Sequence, residues 1–95
     1  MSEWENLPAP QPDRRPAPVT ASWAGFSADP RIPDNQHLRA SDADRDFATA
    51  LIEQSRVHGR LDPSEYSERA AQAVRSRTLG ELAPLVSDLM LANAA

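Results

Sequence analysis

The second half of the chain contains three successive stretches in which apolar residues recur every three or four positions, as on one face of an α-helix. We predict helices over about 41–58, 62–77 and 79–91. Their apolar positions are Phe47, Ala48, Leu51 and Ile52 in the first stretch, Tyr66, Ala70, Ala73 and Val74 in the second, and Leu82, Leu85, Val86 and Leu89 in the third. Because no β-type alternation occurs in this half, the pattern predicts an all-α fold, a small three-helix unit around one core.

Each predicted helix also begins with a capping signal, a polar residue that can accept a hydrogen bond from a free amide of the first turn. The pairs of capping residue and acidic residue three positions on are Ser41 with Asp44, Asp62 with Glu65, and Thr78 with Glu81. Pro63 suits the first helical position, where its missing amide costs nothing. Pro84 lies past the first turn of its helix, so we expect it to bend that helix or to delay its start. Gly59 is placed to end the first helix.

The first 37 residues have a different composition, since seven of the nine prolines lie there. Proline removes an amide donor and biases the residue before it toward extended backbone, so a helix cannot propagate through this stretch. The stretch also has little apolar area to offset the entropy of ordering it. We therefore predict a proline-rich, largely disordered N-terminal tail over 1–37, followed by a folded domain over 38–92.

Within this tail, Trp23 and Phe26 stand out as aromatic residues in polar surroundings. Two interpretations are open at this point. The two residues can form a hydrophobic patch that rests on the folded domain. Alternatively, they can belong to a short linear motif that inserts into a partner, because aromatic side chains are strong interface anchors.

Composition excludes several classes of protein. Cysteine is absent from the 95 residues, which removes disulfides, thiolate metal sites and cysteine nucleophiles. The formal net charge is −4 at pH 7. No apolar run approaches the ~18 residues of a membrane span, and the first residues lack the basic and then apolar pattern of a signal peptide. We therefore expect a cytoplasmic protein without a transmembrane span. Any association with a membrane would be peripheral, through a membrane-bound partner.

The sequence offers little catalytic chemistry, which requires a nucleophile, a base and an orienting group in a concave site. The two histidines are His37, in the predicted tail, and His58, at a predicted helix end where a cation interacts favourably with the helix dipole. The carboxylates of Asp42, Asp44 and Asp46 alternate along a helix and point apart, so they do not indicate a cation site. We expect no enzyme activity, no catalytic residue, no metal, no cofactor and no small-molecule ligand.

Three segments of the second half form a recognisable series, namely Leu38–Arg45, Gly59–Arg69 and Arg77–Leu89. In their order and spacing they resemble the actinobacterial family called domain of unknown function 1707. The family carries an R-x-S/G-D-x-D-R opening, a G-R-L-x-x-x-E-F/Y-x-E-R centre and a T-x-x-E-L…D-L close. The resemblance covers about 39–89 and implies a small helical module that often precedes transmembrane helices or other domains, whereas here it follows the proline-rich stretch. It implies no catalytic residues, because none is established for the family.

Most of the motif residues have a structural interpretation as caps, turns and core positions. The charges of Arg45 and Arg69 exceed what caps need, and they can either pair with carboxylates inside the module or face a partner. As a partner surface we predict a groove beside the second and third helices, with the tail aromatics as its intramolecular occupant or as a second contact. The candidate contact residues are Trp23, Phe26, Tyr66, Arg69 and Leu82, of which the last three rim the groove.

Two functions follow from this interpretation. The first is a non-enzymatic protein-interaction or regulatory module that binds a protein partner or self-associates, since a small core gains from burying further apolar surface. The alternative is a helix-turn-helix-like nucleic-acid-binding regulator, because three short helices suit that motif. Residues 39–95 hold seven arginines and nine acidic residues, and this net charge of −2 disfavours contacts with phosphates. We therefore expect a protein partner and no nucleic acid.

Overall fold

The computed structural model describes residues 19–91, without the side chain of Leu91. The helices are α1 (Asp42–Val57), α2 (Pro63–Arg75) and α3 (Leu79–Leu91), preceded by two short 3-10 turns at Trp23–Gly25 and Pro33–Asn35. The described residues form no strand beyond a single antiparallel bridge between Arg39 and Thr78, so the all-α prediction is confirmed. In this part of the chain, no helix combines the length and apolar character that crossing a bilayer requires.

Both predicted capping boxes at the starts of α1 and α2 are present. The hydroxyl of Ser41 accepts from the amide of Asp44 at 3.0 Å, and the Asp44 carboxylate accepts in return from the amide of Ser41 at 2.9 Å. At α2 the Asp62 carboxylate accepts from the Glu65 amide at 2.7 Å, and the Glu65 carboxylate accepts from the Asp62 amide at 3.2 Å. Pro63 occupies the first helical position as predicted. Each box satisfies two amides that have no partner within the helix.

The start of α3 departs slightly from the predicted box. Thr78 is the cap, because its hydroxyl accepts from the amide of Glu81 at 3.2 Å. The Glu81 carboxylate reaches one residue further back than in a capping box and accepts from the amide of Arg77 at 2.9 Å. Pro84 lies inside the helix at an exposed position. Since α3 begins at Leu79, the proline does not delay its start.

Helices α1 and α2 end slightly earlier than the sequence predicts. After Val57, the last residue of α1, Gly59 follows with a φ of +77°, a left-handed conformation that glycine adopts without penalty. Helix α2 ends at Arg75, because Ser76 has extended backbone and its hydroxyl donates to the carbonyl of Gln72 at 2.8 Å. This side-chain hydrogen bond closes the last turn, and apolar periodicity does not encode it.

The apolar stripes of the three helices meet in one core. Its most deeply buried large aliphatic side chains are Leu51 and Ile52 from α1 and Leu79, Leu82 and Val86 from α3. Helix α2 contributes little bulk, since Ala73 is its only buried residue. Val74, predicted on the apolar face, is 68% exposed. The two neighbours point about 100° apart around the helix axis, so burying Ala73 turns Val74 outward.

Residues 19–28, which we call the strap, lie along α1 and are not a disordered tail. The strap runs antiparallel to the helix. Val19 hydrogen-bonds to Gln54 near the C-terminal end of α1, and Ser27 hydrogen-bonds to Asp44 near its N-terminal end. The folded part of the chain therefore reaches back to Val19, and the predicted boundary at 38 falls inside it. The rest of the predicted tail, residues 1–18, lies outside the described residues.

A second contact of the N-terminal segment lies at the start of α3. The amide of Gly80 donates to the carbonyl of Gln36 at 3.0 Å, and the amide of Ala40 donates to the carbonyl of Arg77 at 2.9 Å. A Cβ at position 80 would lie 2.8 Å from the Gln36 carbonyl oxygen, so glycine permits this close approach. We call this pairing of residues 36–40 with residues 77–80 the clip.

Candidate interaction surface

The two aromatic residues that stand out in the predicted tail are docked on the helices. Phe26 is 5% exposed and meets the ring of Phe47 edge-to-face, with 5.0 Å between the ring centroids. Such a pair adds ~0.5–1.5 kcal/mol beyond the burial of area. Trp23 is half-buried, with its ring 6.2 Å from that of Phe26. Of the two interpretations drawn from the sequence, the structure matches the patch that rests on the domain.

The outer surface of the strap carries a cation, a carboxylate and an aromatic ring together. The Arg31 guanidinium lies 5.2 Å from the centroid of the Trp23 ring and is held there by Asp29, at 3.0 and 2.8 Å. Hydrogen bonds from Arg31 hold the pKa of Asp29 below its ordinary value. A cleft of about 410 Å³ opens here, and its lining residues are Ser22, Trp23, Ala24, Phe26, Asp29 and Arg31. Aromatic residues and arginine are the types enriched where proteins meet.

Asp44 joins the strap to α1 through both carboxylate oxygens. Oδ1 accepts from the amide of Ser27 at 2.7 Å, while Oδ2 accepts from the Ser27 hydroxyl at 2.7 Å and from the Ser41 amide at 2.9 Å. Asp44 is 2% exposed, and burial taken by itself acts to raise the pKa of its carboxyl group. The hydrogen bonds from Ser41 and Ser27 outweigh this effect, and the pKa lies below its ordinary value. Neutral donors therefore hold this buried charge.

At the other end of the strap, Gln54 pairs with the backbone. Its Oε1 accepts from the amide of Val19 at 3.0 Å, and its Nε2 donates to the carbonyl of Val19 at 3.1 Å. A primary amide offers one acceptor and two donors, so it can complement a main-chain amide and carbonyl whatever the side chain. Gln54 therefore fixes the position of the strap without selecting a residue type.

Between these two ends, the strap passes directly against the ring of Phe47. A Cβ at Gly25 would overlap that ring, so only glycine lets the backbone come this close. The side of α1 that carries Asp44, Phe47 and Gln54 thus holds the strap by a carboxylate, an aromatic and a main-chain contact. We call these three residues and the surface between them the α1 face.

Arg69 pairs with a carboxylate inside the module. Its Nη1 and Nη2 donate to the two carboxylate oxygens of Asp88 at 2.7 and 2.9 Å, and Nη1 also donates to the carbonyl of Leu85 at 3.1 Å. The hydrogen bonds with Asp88 raise the pKa of Arg69, and they lower the pKa of Asp88. The pair ties α2 to α3, so this motif arginine stabilises the packing of the two helices.

Arg45 has a comparable role at the C-terminal end of α2. Its Nη1 donates to the carbonyls of Ala40 at 3.1 Å and Ser76 at 3.2 Å, and its Nη2 pairs with Asp42. The guanidinium thereby connects the start of α1 to the residue that ends α2. For both motif arginines, the structure matches the internal alternative that the sequence left open.

The three predicted rim residues do not border one groove, and the cleft of about 300 Å³ beside α2 and α3 is lined instead by Gln72, Arg75, Ser76 and Glu81. Leu82 is completely buried, because α3 packs against both α1 and α2, so it cannot rim a surface groove. Arg69 is engaged by Asp88 as described above. Tyr66 alone of the three rim residues keeps a half-exposed ring, with the Arg56 guanidinium 5.0 Å from its centroid. Hydrogen bonding to the Glu53 carboxylate, together with partial burial, raises the pKa of Tyr66.

Several residues at the contact between the strap and the α1 face were not predicted as a site. Phe47 was predicted as a core residue and Asp44 only as a cap, while Ser27 and Gln54 were not singled out at all. Their hydrogen bonds join residues 17 and 35 positions apart, which no local pattern encodes. The one usable signal is the Gly25-Phe26 pair, in which the smallest residue precedes an apolar aromatic one.

The polar groups inside residues 19–91 satisfy one another. Every buried side-chain nitrogen or oxygen of this part has a hydrogen-bond partner. His37 and His58 are both exposed, and the same residues contain no group of three or more His, Cys, Asp or Glu that could hold a metal ion.

Comparison with known proteins places the helical part in a family. No solved structure matches the chain. Two uncharacterised proteins from two strains of Mycobacterium tuberculosis are each 38% identical to it over 56 residues. The match covers 59% of this chain and 19% of each relative, so the matched segment corresponds to about a fifth of their length. The model of the DUF1707 SHOCT-like domain matches residues 38–89, more than half of the chain, and the chain therefore belongs to the family of DUF1707 SHOCT-like domains.

Proposed function

We propose that this chain is a non-enzymatic protein-interaction module. The observation that carries the proposal is the α1 face, on which one helix holds a non-helical aromatic segment by apolar, main-chain and carboxylate contacts. Interfaces between proteins use the same ingredients, a buried aromatic anchor surrounded by polar contacts. Within one chain, the module already makes the kind of contact that the proposal assigns to it.

The engagement of the charged motif residues supports the same proposal. Arg45 binds main-chain carbonyls, and Arg69 and Asp88 bind each other. A reacting site needs charged groups that are aimed at a substrate. These groups hold helices together instead, which favours a module that presents a surface over one that carries out a reaction.

The contact surface that we propose is the outer side of the strap around Trp23. Its ring is half-buried, lies under the Arg31 guanidinium and borders the 410 Å³ cleft. Tryptophan and arginine are enriched among the residues that dominate binding energy at interfaces. A protein partner that inserts a side chain into this cleft would bury the exposed part of Trp23.

The test is site-specific crosslinking of the full chain in its native cell. A photoreactive phenylalanine analogue replaces Trp23, and the products formed on illumination are identified by mass spectrometry. We expect one protein to be recovered repeatedly from position 23. This protein is either a different protein or a second copy of this chain. The variant Arg31→Ala should lower the crosslinking yield, because it removes one wall of the cleft.

The matched control places the same analogue at Val57, which is 56% exposed at the end of α1. We expect no enriched product from this position. Recovery of no protein at position 23, or of the same set of proteins at positions 23 and 57, contradicts the proposal.

The described charges support a protein partner over nucleic acid. Residues 19–91 carry eight arginines and eleven acidic residues, a net charge of −3. The arginines already paired with carboxylates are Arg31, Arg45, Arg56 and Arg69. Proteins that bind duplex DNA direct most of their cations at phosphates. We therefore give the helix-turn-helix alternative second place.

A further inference from the structure

We propose that the α1 face is a docking site for a peptide segment with a Gly-aromatic-Ser sequence, and that the strap occupies this site as an intramolecular competitor. The inference rests on the proposed function and adds to it a second contact surface, beneath the strap and separate from the cleft at Trp23, together with the chemistry of its ligand. The strap shows what the site accepts, because each of its contacts selects a feature of the segment that lies there.

The contacts lie in a row along one side of α1. Asp44, Phe47 and Gln54 are spaced by three and then seven residues, so they fall on the same side of the helix. The first and last are ten residues apart, which corresponds to about 15 Å along the axis. The strap covers this distance antiparallel to α1, from Val19 beside Gln54 to Ser27 beside Asp44.

The middle and the end of the site select three consecutive residues. The ring of Phe47 leaves no room for a Cβ at Gly25, and its edge-to-face partner is the buried ring of Phe26. The Asp44 carboxylate takes both the amide and the hydroxyl of Ser27, each at 2.7 Å. A competing segment must therefore offer glycine, an aromatic residue and serine in this order. At the other end of the site, Gln54 contacts only the main chain of the segment, so it selects no residue type there.

The family match separates the site from its occupant. The α1 face lies within residues 38–89, the part that the DUF1707 SHOCT-like model matches, and the strap lies outside it. An uncovered α1 face would expose the Phe47 ring and would leave the Asp44 carboxylate without the two donors of Ser27. The domain thus contributes a site, and this chain adds a segment that fills it.

Competition within the chain sets the expected affinities. A segment tethered by a short linker acts at an effective concentration in the millimolar range. A free peptide of the same sequence therefore competes poorly with the strap of the wild-type chain. A substitution that displaces the strap, and leaves the α1 face unchanged, should make the site accessible to that peptide.

The test uses the full chain and a fluorescent synthetic peptide with the sequence of residues 19–31. The variant Gly25→Ala places a Cβ against Phe47 and should release the strap of the chain, while the peptide keeps its glycine. By fluorescence anisotropy, we expect this variant to bind the peptide at least ten-fold more tightly than the wild type does. A peptide that carries Gly25→Ala itself should not bind either chain.

Two further variants identify the site. In the Gly25→Ala background, Gln54→Ala should weaken peptide binding at least five-fold, because it removes the two contacts with the main chain of Val19. If the Gly25→Ala chain loses its helical circular dichroism, Ser27→Ala replaces it. This variant removes only the hydroxyl donor to Asp44 and should give a smaller gain in peptide affinity, about three-fold.

Amide exchange of Ser27 completes the test. A Gly25→Ala chain in which this amide remains protected contradicts the role given to glycine. A chain that releases the strap but binds the peptide no better than the wild type contradicts the docking site. Crosslinking at position 23 without peptide binding would overturn this inference and leave the proposed function intact. Peptide binding without a crosslinked protein would overturn the proposed function and leave the docking site intact.

Discussion

Asp44 shows how a single side chain can serve both local and long-range structure. It completes the capping box of α1 with Ser41 and receives two further hydrogen bonds from Ser27 of the strap. A buried carboxylate is costly unless donors satisfy it. Here the donors are an N-cap amide and the strap, so the start of the helix and its cover depend on the same charge.

The substitution Asp44→Asn tests this dependence through pH. The pKa of Asp44 is lowered in the folded chain, so its contribution is present above the unfolded pKa, about 3.9, and is lost as pH falls through the folded pKa. We expect the variant to lose about 1–3 kcal/mol of unfolding free energy at pH 7, because an amide nitrogen now faces a donor. Urea titrations at neutral and acidic pH should show the gap between wild type and variant narrowing in acid.

The exposed Asp46→Asn variant, on the same helix, is the matched control, and it should keep the stability of the wild type at neutral pH. An Asp44→Asn gap that stays constant from neutral pH to about pH 2 would contradict the role of this ionised carboxylate, since protonation should remove it.

The Arg69–Asp88 pair has a smaller expected effect. The arginine side chain is 22% exposed and that of the aspartate is 55% exposed, so solvent screens the attraction. A double-mutant cycle with Arg69→Ala and Asp88→Ala should give a coupling energy of about 0.5–1 kcal/mol by thermal or urea unfolding. A coupling near zero would mean that the two-pronged geometry contributes nothing to the packing of α2 on α3.

At the scale of elements, the clip joins the segment before α1 to the start of α3. Its closest approach is at Gly80, whose amide donates to the carbonyl of Gln36. A glycine within a helix ordinarily destabilises it relative to alanine. The clip reverses that expectation, since the atom that a new methyl group would meet belongs to backbone and cannot swing away.

We therefore expect Gly80→Ala to destabilise the chain by about 1 kcal/mol, although alanine favours helix by about 0.5–1 kcal/mol over glycine. On the same helix, the exposed Ser87→Ala should be neutral or slightly stabilising. Denaturation midpoints measured side by side would show opposite signs for the two substitutions. A stabilised Gly80→Ala chain would mean that the clip opens at little cost.

The elements that sequence predicts well are those whose determinants are local. Ser41 and Asp62 cap helices through partners three residues away, and both boxes are present in the structure. For the strap, the sequence left open that Trp23 and Phe26 rest on the domain, but it did not predict the path of the segment, because the contacts that fix it join Val19 to Gln54 and Ser27 to Asp44 across 35 and 17 residues. The candidate site was also predicted poorly, for the same reason that its determinants are long-range contacts. The sequence placed Leu82 at a surface that packing by α3 on two neighbours has buried.

At the scale of the whole molecule, charge and burial determine which partners the surface suits. The described residues have a net charge of −3, and their buried polar side-chain atoms are paired. An acidic surface repels polyanions, and at low salt this repulsion is screened less, since the Debye length is ~10 Å at about 0.1 M salt and longer below it. We therefore expect the half-buried aromatic surface beside Arg31 to contact a protein and not nucleic acid.

Titration with a short random DNA duplex tests this inference at low salt. We expect no binding by fluorescence anisotropy at protein concentrations up to ~100 μM, whereas non-specific DNA-binding proteins bind in or below this range. A salt-dependent affinity in the micromolar range would favour the helix-turn-helix alternative. The variants Arg39→Ala and Arg77→Ala would then show whether the exposed arginines of the clip are responsible.

The strap has a practical consequence for anyone who prepares the domain. A gene fragment trimmed to the family limits begins at residue 38 and omits the strap altogether. The recombinant product would display a bare phenyl ring and part of an apolar core that Phe26 normally covers. Exposed apolar surfaces of this kind promote aggregation during purification. A gene fragment that begins at Val19 or further upstream retains the strap, which covers this apolar surface and limits aggregation.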